Sequence, residues 1–109
     1  MAEEAPESLR GKTVRWSFDE GPTKGKTFEH VFNDDGSAKY NEVGGNGQGE
    51  TVRNCAVEKV TRDVHVVSYL SEAGYTLTAV LNFGDMTVMS YASNEKGWFP
   101  ARGSFEVVK

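Results

Sequence analysis

The stretch KTFEHVFNDDGSAKY, residues 26–40, alternates apolar and polar side chains on both sides of a turn-forming segment. Alternation that is interrupted by Asn, Asp and Gly predicts a β-hairpin. A type I turn with Gly36 in the left-handed position gives a three-residue loop at residues 34–36. The cross-strand pairs that this loop predicts are Phe32 with Ala38, His30 with Tyr40, and Phe28 with Glu42. His30 is therefore expected to face the interior, together with Trp16 of the preceding strand.

The same alternation recurs along the whole chain, whereas apolar residues at helical spacing are almost absent. Eight strands are predicted, over residues 12–19, 26–33, 37–43, 52–61, 64–71, 75–83, 86–93 and 103–108. The links between them are mostly short, which favours a meander of neighbouring strands over a sandwich with long crossing connections. We therefore predict an all-β fold, a single eight-stranded antiparallel up-and-down barrel.

The length of 109 residues suits one domain, and residues 10–109 are assigned to the barrel. Residues 1–9 are acidic and lack the pattern of a secretory signal, so we expect a disordered, solvated tail. The net charge is −4 and the basic residues are scattered, which predicts no nucleic-acid partner. No apolar stretch is long enough to cross a bilayer, so no membrane partner is expected. Cys55 is the one cysteine, which excludes an internal disulfide and favours a cytoplasmic location.

Turn lengths also predict which side chains face the interior. A two-residue loop at Gly84-Asp85 pairs Phe83 with Met86. The inner face of these two strands then comprises Tyr75, Leu77, Ala79, Leu81, Phe83, Met86, Val88, Ser90 and Ala92. The segment SEAG, residues 71–74, connects the first of these strands to the preceding one. If it forms a two- or four-residue loop, the alternation places Ser68 inside and Tyr69 outside. A three-residue loop at this segment would reverse the second assignment.

The polar side chains expected inside the barrel are His30, Tyr40, Ser68, Tyr75 and Ser90. A buried polar group without a partner costs about 1–3 kcal/mol, so five of them in one barrel indicate a cavity. Small inward residues leave the space that such a cavity needs. These five residues and Trp16 are the predicted ligand-binding residues. Each also has a purely structural interpretation, since the serines can bond to the backbone and Trp16 can stack on Arg102.

The spacing of residues disfavours the well-known phosphate-binding, metal-binding and catalytic motifs. The segment GGNGQGE, residues 44–50, lacks the Lys and Ser or Thr of a phosphate-binding loop. The predicted alternation places His30 and His65, the only histidines, on opposite faces, which disfavours a shared zinc ion. No spacing points to a Ser-His-Asp arrangement. We therefore predict no metal site, no cofactor and no assigned catalytic residue.

From Gly11 to Val108 the sequence resembles the MoaF-like family of small lipocalin-like β-barrels in the calycin group. The resemblance is carried by a Trp on the first strand, the F…DG hairpin and the Y-T-L-T strand at residues 75–78. Calycins usually carry Gly-x-Trp, whereas here Gly11 precedes Trp16 by five positions. The resemblance implies a lipocalin-like barrel that encloses a cavity for a small, mostly apolar molecule.

Binding of a small hydrophobic or aromatic molecule is the function expected from these features. One alternative is an enzyme acting on a small aromatic acid, similar in architecture to phenolic acid decarboxylases, with His30, Tyr40, Tyr75 and Glu42 moving protons. Another is a protein-interaction module with a filled core, whose exposed Tyr69, Tyr91 and Trp98 contact a second protein. Under this last hypothesis the second protein can be another copy of the chain, which would give a homodimer.

Overall fold

The computed structural model describes residues 7–21, 23–45 and 49–108. Within these residues the chain forms nine antiparallel strands and no helix, hence none that could span a membrane. The strands are β1 (Thr13–Glu20), β2 (Thr27–Phe32), β3 (Ala38–Glu42), β4 (Glu50–Val52), β5 (Cys55–Lys59), β6 (Val64–Leu70), β7 (Thr76–Asn82), β8 (Thr87–Ser93) and β9 (Trp98–Val107). They form one sheet in the order β4-β3-β2-β1-β9-β8-β7-β6-β5, which curls into a nearly closed barrel. The all-β barrel is therefore confirmed.

The strand count is nine rather than the predicted eight, because residues 52–61 do not form one strand. The chain pairs with β3 through β4 and with β6 through β5, so it changes partner between Val52 and Cys55. This change bends the backbone and separates the two short strands. The amide of Cys55 instead donates to the carbonyl of Gly36, at a distance of 2.9 Å, in the β2–β3 turn. The two outer strands of the sheet are thus consecutive in the chain.

The last strand begins at Trp98, five residues before its predicted start. Pro100 suggested a loop there because proline has no backbone N–H to give to a ladder. In the structure Pro100 pairs with Tyr91 of β8, while the described pairing of β9 with β1 extends only to Arg102. Pro100 therefore lies where β9 has one described neighbouring strand, a position where a residue without an N–H is tolerated.

The predicted register of both tight hairpins is confirmed. Phe32 pairs with Ala38 across the β2–β3 turn, and Gly36 takes a φ of 94°. Leu81 pairs with Val88 and Asn82 with Thr87, so the β7–β8 turn comprises the four residues 83–86 rather than the predicted two, and its even length preserves the predicted register. Alternation along β7 and β8 accordingly buries the predicted inner face, with Ala79, Leu81, Val88 and Ser90 buried.

The face assigned to β6 was wrong. Leu70 pairs with Thr76, and the amide of Ser71 donates to the carbonyl of Tyr75 over 2.8 Å, so three residues form the loop. Gly74 supplies the left-handed residue of this loop, with a φ of 90°. An odd loop length reverses the alternation. His65, Val67 and Tyr69 therefore face the interior and are buried, whereas Val64, Val66, Ser68 and Leu70 face outward.

Side chains fill the barrel at the end that carries the β2–β3 and β7–β8 turns. Leu9 is fully buried there, and the amide of Gly11 donates to the carbonyl of Phe32 over 2.6 Å. Leu9 is thus a core residue, which corrects its assignment to a solvated tail. The preceding tail residues 1–6 lie outside the described part of the chain.

Candidate functional site

The opposite end of the barrel holds a cavity of about 420 Å³. It is lined by Trp16, Phe18, Thr23, Phe28, His30, Tyr40, Tyr69, Ser71, Ala73, Tyr75, Leu77, Ser90, Ala92, Phe99 and Ala101. The innermost of these side chains, including His30 and Ser90, are buried, whereas those nearer the mouth are partly exposed. A pocket of this size, mostly apolar with a few polar groups, is typical of sites for small molecules.

The cavity exists because two parts of its wall differ in side-chain size. Large aromatic rings project from β1, β2 and β3, among them Trp16 and Phe28. Small residues line the cavity from β8 and from Ala101 of β9, which pairs directly with Ser90, whereas the larger Phe99 of β9 lies at the mouth. Alternation along both strands keeps these small side chains on the inner face. The space that larger residues would fill is left open beside the aromatic rings.

His30 lies at the inner end of the cavity and packs among aromatic rings. Its imidazole stacks on the indole of Trp16, with ring centroids 3.9 Å apart and an interplanar angle of 21°. The ring of Tyr40 stacks at 5.2 Å, as expected for directly paired residues. The side chain is only 2% exposed. Stacking on two sides therefore fixes the plane of the imidazole.

A hydrogen bond joins His30 to the far side of the barrel. Its Nε2 lies 2.8 Å from the phenol oxygen of Tyr69 on β6. The other ring nitrogen, Nδ1, is buried and has no hydrogen-bond partner among the described residues. Since a neutral imidazole has one donor and one acceptor nitrogen, this arrangement leaves one hydrogen-bonding nitrogen of His30 unused in the barrel interior.

Burial sets the protonation of the polar groups. Removal from water lowers the pKa of His30 to about 3, so the imidazole is uncharged at neutral pH. Burial raises the pKa of Tyr40 to about 12, assisted by a hydrogen bond to Glu50 and by the nearby charge of Glu72. Burial also raises the pKa of Tyr69 well above its usual range. All three side chains are therefore neutral hydrogen-bonding groups.

Five of the six predicted ligand-binding residues line this cavity: Trp16, His30, Tyr40, Tyr75 and Ser90. Ser68 does not, because the three-residue loop turns it outward, where its hydroxyl lies 3.1 Å from that of Thr78. Tyr69 takes the inward place and is the main residue that the sequence reasoning missed. The signal that could have found it is Gly74, which suits the left-handed position of a three-residue loop.

Several expectations about neighbouring residues also change. Arg102 faces outward and is exposed, so it does not stack on the inward-facing Trp16. Glu42 does not line the cavity and lies 3.6 Å from the ammonium of Lys26. Phe99, which lies before the strand predicted at residues 103–108, is part of β9 and lines the cavity at its mouth. No group of three or more His, Cys, Asp or Glu residues in the described part of the chain could hold a metal ion.

Comparison with solved structures identifies a protein that is similar over the whole fold. A crystal structure from Burkholderia vietnamiensis, provisionally described as a beta-lactamase, superposes with a TM-score of 0.76 at 19% sequence identity. The match covers 97% of this chain and 99% of that one. No protein-family model and no curated protein matches the sequence. The similarity therefore establishes a shared barrel architecture and leaves the function to be argued from the cavity.

Proposed function

We propose that this barrel binds a small hydrophobic or aromatic molecule in its end cavity. The observation that carries the proposal is a cavity of about 420 Å³, lined by aromatic and small side chains. Burial of the apolar surface of the ligand would supply most of the affinity, and a few hydrogen bonds would orient it. On this proposal the barrel is of the calycin-like, MoaF-like kind, located in the cytoplasm.

An enzyme acting on an aromatic acid is less well supported. Holding a carboxylate usually requires an Arg or Lys, and neither lines the described cavity. The neutral His30 supplies no positive charge. Glu42, one of the groups expected to move protons, lies outside the lining and is paired with Lys26. The cavity thus favours binding over proton transfer to an acid.

Beta-lactamase activity is not proposed for this chain. Serine beta-lactamases use a Ser-x-x-Lys motif, and SNEK at residues 93–96 matches it in letters only. Ser93 ends β8 and pairs with Trp98, while the Asn94 side chain accepts bonds from the amides of the following turn. This segment is a β-turn outside the cavity lining. The described residues also hold no cluster of metal-binding side chains.

One observation favours a second role as an interaction module. Trp98 is 64% exposed and stacks on Tyr91 on the outer face, with an interplanar angle of 10°. Aromatic residues are enriched at protein–protein interfaces. A homodimer through this face predicts a dimeric mass in light scattering and a monomer after Trp98→Ala. A monomeric mass for the unaltered protein would contradict it.

The ligand-binding proposal is tested with N-phenyl-1-naphthylamine, an uncharged probe whose fluorescence rises on burial. We expect saturable binding to the unaltered protein. Ala92→Phe places a ring in the cavity and should abolish the fluorescence increase, because Ala92 lies on the small-residue side of the lining. Ala56→Phe is the matched control, since Ala56 is exposed on β5 and faces away from the cavity.

Equal binding by both variants would show that the probe sits on the outer surface, which would overturn the proposal. Absence of saturable binding by the unaltered protein would do the same. Native mass spectrometry of freshly purified protein provides a second readout, because a co-purified molecule retained by Ala56→Phe and lost from Ala92→Phe would locate that molecule in the cavity.

A further inference from the structure

We propose that the phenyl ring of Phe99 is the gate of the cavity, the side chain that a ligand must displace in order to enter or leave. The inference rests on the proposed function and names the residue that controls ligand exchange at the same site. Three observations carry it: ligands reach the cavity through its mouth, Phe99 lies at this mouth, and Gly97 provides the space in which its ring rests.

The walls and the base of the barrel direct a ligand to the mouth. The strands pair with their neighbours all the way from β4 through β1 and β9 to β5. Where the two outer strands meet, the amide of Cys55 donates to the carbonyl of Gly36 over 2.9 Å. Nearer the mouth, the amide of Glu72 donates to the carboxylate of Glu50 over 2.6 Å. Leu9 is buried at the base. In the part of the barrel that the structure describes, the open end is therefore the route to the cavity.

Phe99 lies at this open end, on the inner face of β9. It pairs directly with Ala92 of β8, and both side chains line the cavity. Phe99 is 39% exposed, unlike the buried residues at the inner end. Its aromatic neighbour is Tyr75, a second lining residue, with ring centroids 6.1 Å apart and an interplanar angle of 56°. These two rings therefore stand together at the entrance.

Gly97 provides the space in which the ring of Phe99 rests. A Cβ at Gly97 would lie 2.7 Å from Cζ of Phe99 and 3.0 Å from its Cε2, closer than side chains pack in proteins. The turn that carries Gly97 is held by Asn94, whose Oδ1 accepts from the amides of Lys96 and Gly97 at 2.8 Å each. The ring therefore has a defined resting position, against backbone that carries no side chain.

The ring of Phe99 also has room to leave this position. At Phe99 the strand β9 pairs with β8, while its described pairing with β1 extends only to Arg102. Partly exposed side chains exchange between rotamers quickly, whereas closely packed core rings are confined. Rotation of the ring breaks its contact with Tyr75, and the loss of this aromatic contact sets a modest barrier to ligand passage.

The test measures the exchange of N-phenyl-1-naphthylamine by stopped-flow fluorescence. Association is followed after mixing with the protein, and dissociation after displacement of the probe by excess 2-naphthol. Phe99→Ala should raise both rate constants by about tenfold, equivalent to about 1.4 kcal/mol of barrier, and change Kd by less than about threefold. A gate slows passage in both directions, whereas loss of an ordinary contact acts mainly on dissociation. The association rate therefore distinguishes the two roles.

Leu70→Ala is the matched control. Leu70 is also a large apolar residue at the mouth end of the barrel and is 64% exposed. It faces outward from β6 and is not one of the described lining residues. Both rate constants of this variant should equal those of the unaltered protein.

Gly97→Ala tests the resting position of the ring. The backbone of Gly97 is not left-handed, so alanine brings no strain of its own there. In the unaltered protein the new methyl group must displace the ring of Phe99, which should change the association rate by at least about threefold. In the Phe99→Ala background no ring is present, and the same substitution should change the rate by less than about 1.5-fold.

The outcomes separate this inference from the proposed function. Saturable probe binding with an association rate that Phe99→Ala leaves unchanged would overturn the gate while leaving ligand binding intact. Equal acceleration by Leu70→Ala would overturn it as well. An equal effect of Gly97→Ala in both backgrounds would overturn the resting position of the ring. No saturable binding of the probe to the unaltered protein would overturn both proposals.

Discussion

His30 shows how an ionisable residue can lie among aromatic rings without carrying charge. Burial lowers its pKa to about 3, whereas an imidazole in an unfolded chain titrates near its model value of 6.5. Between these values the unfolded state binds a proton that the folded state does not. Stability therefore rises with pH across this window and is lost as the pH falls from 6.5 toward 3.

A pH series tests this assignment. Acidification from pH 7 to pH 5 should lower the free energy of unfolding by about 2 kcal/mol through His30 alone, measured by urea unfolding. The variant that combines His30→Phe with Tyr69→Phe is the control, because His65 and the carboxylates stay unchanged in it. It should lose stability over this range by a correspondingly smaller amount. An identical loss in both proteins would show that His30 is not buried in its neutral form.

Cys55 gives a second prediction for a single side chain. Burial raises the pKa of its thiol to about 11, so little reactive thiolate forms at pH 8. Iodoacetamide should modify the native protein at least about tenfold more slowly than the urea-unfolded protein at that pH. Mass spectrometry of timed samples measures both rates. Equal rates would mean that the thiol is accessible in the native barrel.

The individual strands show where sequence patterns are sufficient. NDDGS specifies a three-residue loop, and FGDM forms a four-residue loop whose even length gives the register that a two-residue loop predicts. The strand VHVVSYL, residues 64–70, is apolar on both faces, so its pattern does not tell which face is buried. Which face is buried therefore had to be inferred from the length of the SEAG loop. The assumed even length predicted Ser68 on the inner face instead of Tyr69. Loop geometry, rather than composition, decides such cases.

The two strand boundaries that were missed have a different physical cause. The residues from Val52 to Cys55 look like one β segment, and the break between them arises because the chain changes its pairing partner. Pro100 argued against a strand, although it is tolerated where β9 has one described neighbour. Both features depend on which strands pair in three dimensions, and the local sequence does not predict this pairing.

Gly103 provides the prediction at the level of strand pairing. It pairs with Phe18 of β1, and an ideal Cβ there would overlap the carbonyl oxygen of Ser17 and lie 2.8 Å from Cα of Phe18. Gly103→Ala must therefore push β1 and β9 apart, at a cost of about 3 kcal/mol or more. The cost appears as a lower midpoint of urea unfolding.

Gly25→Ala is the matched control for this prediction. A Cβ at Gly25 meets no atom within 4 Å, so the change brings only the strain of its φ of 86°. That strain should cost about 1 kcal/mol. Equal losses in the two variants would contradict the close approach of β1 and β9.

For the molecule as a whole, the cavity results from uneven filling of one barrel. The candidate residues could largely be predicted, because alternation identifies the inward positions of Trp16, His30 and Ser90. The empty volume could not, because it depends on how the rings from β1–β3 and the small residues of β8 pack together in three dimensions. Its confinement to one end also depends on Leu9, which fills the other.

Ligand binding should be visible in the stability of the entire barrel. At a concentration of 2-naphthol about 100 times its Kd, the free energy of unfolding should rise by about 2.7 kcal/mol. Thermal unfolding followed by circular dichroism measures the accompanying rise in Tm. Ala92→Phe should show no rise, whereas Ala56→Phe should behave like the unaltered protein. Stabilisation of Ala92→Phe by naphthol would place the binding site elsewhere.

The most direct measurement is an NMR experiment on the complex with saturating 2-naphthol. Ala92 and Ala101 line the cavity, whereas Ala56 is exposed on the outer surface. Nuclear Overhauser effects should connect the naphthol protons to the methyl groups of Ala92 and Ala101, and none should reach Ala56. Contacts confined to outer-surface methyl groups, or none to either cavity alanine at saturation, would contradict a barrel that binds its ligand inside.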